Sequence, residues 1–319
     1  MKCRVCRGPA VVDVRRANAN FCPEHFVRFC TEQVSRAIAE FDMLDPDDRV
    51  LVAVSGGKDS LAVWDLLTRM GYSADGLYVG LGIGGYSDTS AEHARRFAAE
   101  RDLHLIEVDL PGEYGYDIPT GAATARRAPC SVCGTSKRHL FDAAAIDGGY
   151  DVLVTGHNLD DEAAVLFGNV LRWQTEYLAR QLPVLPAANG FPKKVKPLVR
   201  LSERDMAAFC IVTGIDYLVD ECPMSAGNKH LGYKDALNDI ELVSPGTKSD
   251  FYFSFLRRAA ALFRDAVAES ADHEPIGICT RCGAPSGSDV CAFCRILEKA
   301  TSQPVELTSR PSREPEAHT

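Results

Sequence analysis

The sequence predicts an α/β fold: a doubly wound, parallel five-stranded sheet with a small cysteine module at each end of the chain. Three observations lead there. Between residues 49 and 220, short apolar β-branched runs alternate with helix-periodic segments, the pattern of parallel strands joined by crossover helices. The first of those runs empties into Ser55-Gly56-Gly57-Lys58-Asp59-Ser60 and then into a helix. Most of the 12 cysteines fall in Cys-x-x-Cys pairs, clustered near the two termini and once in the middle.

Taken in order, residues 1–29 read as a metal knuckle and 30–48 as a linker helix, with Val34, Ile38 and Phe41 on one stripe. The run 49–55 (RVLVAVS) is continuously apolar, as a strand buried on both faces requires. A helix over 60–70 stops at Gly71, a second strand covers 76–82, and a helix capped by Thr89 and Ser90 covers 89–102. Strands at 104–110 and 151–156 enclose a helix near 134–146, and a further helix spans about 160–171. Ser202 and Asp205 form a capping-box start for a helix to Gly214, and Asp216–Asp220 (DYLVD) reads as the fifth strand. The main domain is therefore 49–222, followed by a helical extension over 223–273 and a second knuckle over 274–298. The Pro- and Ser-rich residues 299–319 are expected to be disordered.

Composition narrows the function classes. At 46% hydrophobic and 25% charged, with no apolar run long enough to span a bilayer, the chain is not expected to be a membrane protein. Its polar start, MKCRVCRGPAVVDVRR, lacks the apolar centre of a secretory signal, so a cytoplasmic setting is expected. A net charge of −9 argues against bulk attraction to nucleic acid. Yet Arg126, Arg127, Lys137 and Arg138 lie in a stretch, 118–141, with no acidic residue at all, and 172–200 holds six cations against Glu176 alone; such local stripes could contact phosphates.

The 55–60 turn suits an anion. Two glycines let backbone approach a phosphate, Ser55 and Ser60 offer hydroxyls, and the following helix presents free N–H groups at its positive end. A second strand–turn–helix, at 151–166, places Gly156, His157, Asp160 and Asp161 in one turn. Carboxylates beside a polyphosphate repel it unless a cation intervenes, so Mg²⁺ is the natural companion.

In a reducing compartment, paired cysteines favour metal over disulfide. Cys3, Cys6, Cys22 and His25 make one four-ligand set, and Cys279, Cys282, Cys291 and Cys294 another, both with zinc spacing. Cys130, Cys133 and Cys222 remain. Three thiols suit an iron–sulfur cluster with one open iron, or persulfide and disulfide chemistry, or a zinc site completed by another ligand. Cys30 and Cys210 read as ordinary buried thiols.

The SGGKDS turn resembles the PP-loop of the ATP pyrophosphatase superfamily. With PCSVCG and Lys137, TGHNLDDEA, DECP at 220–223 and a knuckle on either side, the chain resembles the TtuA family of tRNA 2-thiouridine synthetases. That resemblance implies a PP-loop ATP-binding fold, ATP and Mg²⁺, two Zn²⁺, and a 4Fe–4S cluster on Cys130, Cys133 and Cys222. It implies Asp59, Lys137 and Asp161 as catalytic residues. Nucleotide contacts would come from Ala53, Val54, Ser55, Gly56, Gly57, Lys58, Asp59, Ser60, Val79, Lys137, Gly156, His157, Asp160 and Asp161. The implied reaction adenylates the C2 oxygen of a tRNA uridine, in the first place at T-loop position 54, and replaces it with sulfur from a ubiquitin-like carrier protein bearing a thiocarboxylate. A homodimer is implied as well. Thiolation of the wobble uridine at position 34 or of a cytidine is the alternative, as is amidation or ligation by the same loop. A zinc-bearing RNA-binding scaffold would release no AMP.

Overall fold

The computed structural model describes residues 1–225, 229–270 and 276–301. Of the tail expected to be disordered, 299–319, the first three residues instead close the helix Ala292–Thr301, and 302–319 lie outside the described residues. A hairpin of β1 (Val12–Val14) and β2 (Ala19–Phe21) leads into α1 (Pro23–Phe41). The main layer follows as β3 (Arg49–Val54), α2 (Lys58–Arg69), β4 (Ser73–Gly80), α3 (Gly84–Glu100) and β5 (Leu105–Asp109). Next come α4 (Leu110–Tyr114), α5 (Ile118–Ala125), α6 (Pro129–Asp147), β6 (Val152–Thr155), α7 (Leu159–Leu171) and α8 (Thr175–Ala179). The hairpin β7 (Val184–Leu185) and β8 (Lys193–Val195) precedes α9 (Glu203–Thr213). Helices α10 (Lys229–Val243), α11 (Thr247–Arg258) and α12 (Ala260–Ser270) form the extension. The short hairpin β9 (Gly277–Ile278) and β10 (Pro285–Ser286), with α13 (Ala292–Thr301), ends the described chain.

The central sheet has six strands in the order β5-β4-β3-β6-β8-β7, parallel throughout except for the edge pair β7/β8. Chain order reverses between β3 and β6, which makes that crevice the topological switch point where α/β sheets bind ligands. The fifth parallel strand is not the one expected. Residues 216–220 pair with no strand; Leu218 donates one backbone hydrogen bond to Gly56 O (2.9 Å), while Val219 is exposed. Lys193–Val195 takes the place in the sheet, hidden from periodicity by its lysines: only Val195 is buried, and Lys194 reaches out to Asp142 (2.6 Å). The helix expected from Thr89 begins earlier, at Gly84, so its cap is Ile83 and no side chain caps it.

Successive β3 residues feed opposite faces, as a pleat demands. Val50, Val52 and Val54 join a core layer with Trp64 of α2, Phe26 and Val34 of α1, and Phe209 of α9. Leu51 joins the other layer with Leu77, Leu153, Val132 of α6 and Phe293, Ile296 and Leu297 of α13. Each cysteine module is thus built into one layer. The N-terminal one is continuous with α1, which carries His25 in its first turn, and the C-terminal one is held by the apolar stripe of α13.

Candidate active site

Ser55–Ser60 folds as a compact anion-type cradle. Ser60 Oγ accepts from Ser55 N (3.0 Å), lies 3.2 Å from Ser55 Oγ and donates to Gly57 O (2.9 Å). Gly56 has φ +72°, and a Cβ there would stand 2.3 Å from Ser90 O, so only glycine fits. Gly57 caps α2 with no side-chain bond, leaving the helix's first N–H groups open toward the carboxyl edge of the sheet.

The second turn packs directly on the first. A Cβ on Gly156 would come within 2.9 Å of Asp59 C and Ser60 N. Asn158 donates to Asp59 Oδ1 (2.9 Å) and shares a capping box with Asp161 at the start of α7. Ala53, Val79 and Gly156 sit along the carboxyl edges of β3, β4 and β6, where Ala53 lies between Leu77 and Thr155.

A chain of charges then encircles the cradle. Lys58 lies 3.2 Å from Asp59 and 2.7 Å from Glu203, and Lys234 of α10 lies 3.2 Å from Glu203 and 2.6 Å from Asp161. Burial works against charge on Lys58, but Asp59 and Glu203 outweigh it and raise its pKa. Lys234 is likewise held protonated by Asp161 and Glu203 against the cost of burial. For Asp59, burial leads and pushes the carboxyl up, with Lys58 opposing and Asp161 adding to it. Two neighbouring carboxylates that resist sharing negative charge, facing a phosphate cradle, form a fitting seat for a divalent cation.

Not every acidic residue of the turn faces that seat. Asp160 is buried, its two oxygens taken by Lys248 of α11 and by Glu203 N (2.9 Å), and Glu162 holds Lys196 at 2.8 Å. Both tie α7 to its neighbours. His157 opens along one face to the cleft, yet the protein packed behind it lowers its pKa, and Lys196 adds to that; its Nδ1 meets Thr155 Oγ1 at 2.8 Å. Asn158 lies within the TGHNLDDEA segment but is not among the residues the resemblance implies, while Glu203, Lys234 and Lys248 carry no motif signal and arrive from helices beyond the turn.

Cys130 and Cys133 occupy the first two turns of α6, whose N-terminus has no side-chain cap. Cys130 is exposed, with Sγ 3.6 Å from Met224 O, two residues past Cys222. Cys133, Cys222 and Met224 pack half-buried against the second core layer. Burial raises the Cys133 pKa, offset by Lys137, with Cys222 and Cys130 both close enough to add to the rise. Burial thus outweighs the local cations, and Cys133 is not a ready thiolate. The Lys137 charge acts on His157 as well as on Cys133. Unlike the terminal sets, these three thiols are not drawn within 4.8 Å of one another. Three thiols with that wider spacing fit a cluster better than a single ion, whose ligands would be drawn closer.

Both terminal sets are gathered tightly. The ligand atoms of Cys3, Cys6, Cys22 and His25 all lie within 4.8 Å, as do those of Cys279, Cys282, Cys291 and Cys294. Cys6–Cys22 at 3.8 Å, Cys279–Cys294 at 3.9 Å and Cys282–Cys291 at 3.8 Å match the roughly 3.8 Å that tetrahedral zinc–thiolate bonds of about 2.3 Å require. At Cys3, burial is outweighed by backbone donors at Cys6, Cys22 and Val5, which bring its pKa down to about 6.

Residues 2–27 match the N-terminal LIM domain of 2-thiouridine synthetase TtuA, and residues 30–227 match the PP-loop domain family. The chain belongs to the TtuA family of PP-loop proteins. It is 46% identical to tRNA-5-methyluridine(54) 2-sulfurtransferase of Thermus thermophilus over 99% of both chains. The same-named protein of Pyrococcus horikoshii is 41% identical over 92% of this chain and 93% of its own. Among solved structures, the U34-tRNA thiolase NcsA from Methanococcus maripaludis with its [4Fe-4S] cluster superposes with a TM-score of 0.75 at 25% identity, covering 93% of this chain and 95% of that one.

Proposed function

We propose that this protein is an ATP-dependent tRNA thiolase that replaces the C2 oxygen of the uridine at T-loop position 54 with sulfur. The observation that carries the reading is full-length identity of 46% with an enzyme named for that reaction. The open N-terminus of α2 and the Ser55–Ser60 cradle bind the β- and γ-phosphates, with Lys58 as the adjacent cation. Asp59 and Asp161 are the carboxylates that would hold Mg²⁺, and Asn158 fixes their relative positions. The uridine O2 attacks the α-phosphate, pyrophosphate leaves, and the oxygen then departs as part of AMP when sulfur takes its carbon. Lys137, whose charge acts on both Cys133 and His157, is the cation that would steady the phosphate that becomes AMP.

Cys130, Cys133 and Cys222 would hold a 4Fe–4S cluster, whose open iron supplies a binding place for the incoming sulfide. Cys3, Cys6, Cys22 and His25 would hold one zinc, and Cys279, Cys282, Cys291 and Cys294 the other. The domain limits given above, the thiocarboxylate of a ubiquitin-like carrier as sulfur donor, a homodimeric assembly and a cytoplasmic setting belong to the same reading. Among the described residues no helix is long and apolar enough to cross a membrane. Anaerobic reconstitution with iron and sulfide tests it: Cys130→Ala should lose the cluster absorbance and thiolation while still binding ATP. Equal iron content in both proteins would contradict the cluster.

The superposition on a U34-tRNA thiolase favours position 34 as the second reading. Mapping the thiolated nucleoside within the tRNA separates the two.

A further inference from the structure

The two basic stretches of the sequence divide sharply in the structure. Lys194 is committed to Asp142 (2.6 Å), Lys196 to buried Glu162 (2.8 Å) and Arg200 to Glu40. Arg138 and Arg180 are exposed, and both line one cleft of about 540 Å³ between α6, the β7/β8 hairpin and the C-terminal cysteine module. Among the described residues no ion pair engages Arg138, and the ion pair of Arg180 is a 3.9 Å surface contact with Glu176, an arrangement worth little; its guanidinium also donates to Glu176 O (3.3 Å) and lies 5.9 Å from the Tyr177 ring centre. The sole carboxylate of the lining, Asp142, is covered by Lys194.

The Lys194 ammonium stands 5.3 Å from the Phe191 ring centre, over one face of it, and apart from Lys194, Thr135, His139 and Asn189 the rest of the cleft is apolar and aromatic. Leu185, Pro186, Phe191 and Phe293 line it, and His139 stacks on Phe293 at 4.1 Å. Asn189 stands exposed at the hairpin tip in a left-handed conformation (φ 51°). A second cavity of about 410 Å³ continues past Asn189 and Phe191 toward Tyr150. Thr135, Arg138 and Asp142 face this cleft, whereas Cys130, Cys133 and Lys137 follow a different line of the same helix. The cleft is therefore separate from the reaction centre but rigidly joined to it.

We propose that this cleft seats a single-stranded segment of the RNA substrate, one base lying on Phe191 and the flanking phosphates on Arg138 and Arg180. A chain of net charge −9 repels a polyanion at long range, so contact needs a local seat where cations are not already spent. Aromatic rings inside a cationic groove are what single-stranded nucleic acid recognition uses. The inference rests on the tRNA reading above.

The test is anisotropy binding of a tRNA transcript across a salt series to the full-length protein, for wild type, the double variant Arg138→Ala/Arg180→Ala, and Phe191→Ala. The double variant should bind at least tenfold more weakly, with a log–log salt slope shallower by roughly 2. Phe191→Ala should weaken binding with the slope unchanged, and all three proteins should bind ATP equally. Unchanged affinity and slope in the double variant would overturn the cleft assignment. So would intact tRNA affinity with loss of sulfur transfer from a protein donor, which would make this a protein-docking face. A wild type that binds no tRNA would instead remove the functional reading on which the inference stands.

Discussion

Asn158 donates a 2.9 Å hydrogen bond to Asp59 from the cap of α7, so the second turn grips the phosphate loop through a single amide. The same residue accepts from the N–H groups of Asp160 and Asp161. Asn158→Ala therefore removes a helix cap and frees Asp59 at once. The cap loss should cost about 1 kcal/mol of stability by denaturant unfolding. AMP release should fall far more, by at least tenfold, because Asp59 would no longer be held opposite Asp161.

Gly156→Ala tests the close packing of the two turns. Its methyl group would stand 2.9 Å from Asp59 C and Ser60 N, backbone that cannot rotate away. The loop must shift instead, and equilibrium binding should show at least a tenfold weaker Kd for ATP. Zinc content should stay at the wild-type level.

Lysines 234 and 248 look alike in sequence and should behave differently. Lys248 is buried against Asp160, so Lys248→Ala strands a buried carboxylate and should cost about 3–5 kcal/mol in unfolding free energy. Lys234 is a half-buried cation shared between Asp161 and Glu203 beside the cradle. Lys234→Ala should leave stability within about 1 kcal/mol and raise the Kd for ATP more than that for AMP. Lys234→Arg should restore part of the difference.

Cys210 packs behind the loop, with Sγ 3.6 Å from Lys58 O, and burial pushes its pKa up to about 12 from 9.0. The folded state thus holds this proton more tightly than the unfolded chain. Its contribution to stability is complete below about pH 9 and is lost as pH rises toward 12, at up to about 1.4 kcal/mol per pH unit. Urea midpoints measured from pH 8 to 11 should decline, and Cys210→Ala should flatten the decline.

The fold was legible wherever strands were buried on both faces. Val50–Val54 and Val152–Thr155 announce themselves because nothing polar can enter the sheet centre. Lys193–Val195 did not, because near the sheet margin its lysines reach solvent and Asp142, and only Val195 is buried. Residues 216–220 mislead for the converse reason: their short apolar run, Tyr217, Leu218 and Val219, serves one hydrogen bond to Gly56, not a ladder. The site divides along the same line. Motif residues within the two turns were readable, since glycine geometry and helix starts are local. Lys234 and Lys248 reach Asp161 and Asp160 from helices about 70 to 90 positions further along, a relation that exists only once α10 and α11 pack on α7. The turn's own carboxylates look equivalent in sequence, and only packing shows that Asp160 is spent on Lys248.

The central claim is thiolation at position 54 paid for by adenylation. Nucleoside mass spectrometry of tRNA after anaerobic reaction with reconstituted protein, ATP and a sulfide source tests it most directly, with fragment mapping to locate the product. The expected product is a 2-thiolated uridine at position 54, formed with AMP in equal amounts, with neither product from Asp59→Ala. AMP without sulfur incorporation, or sulfur found only at position 34, would contradict it.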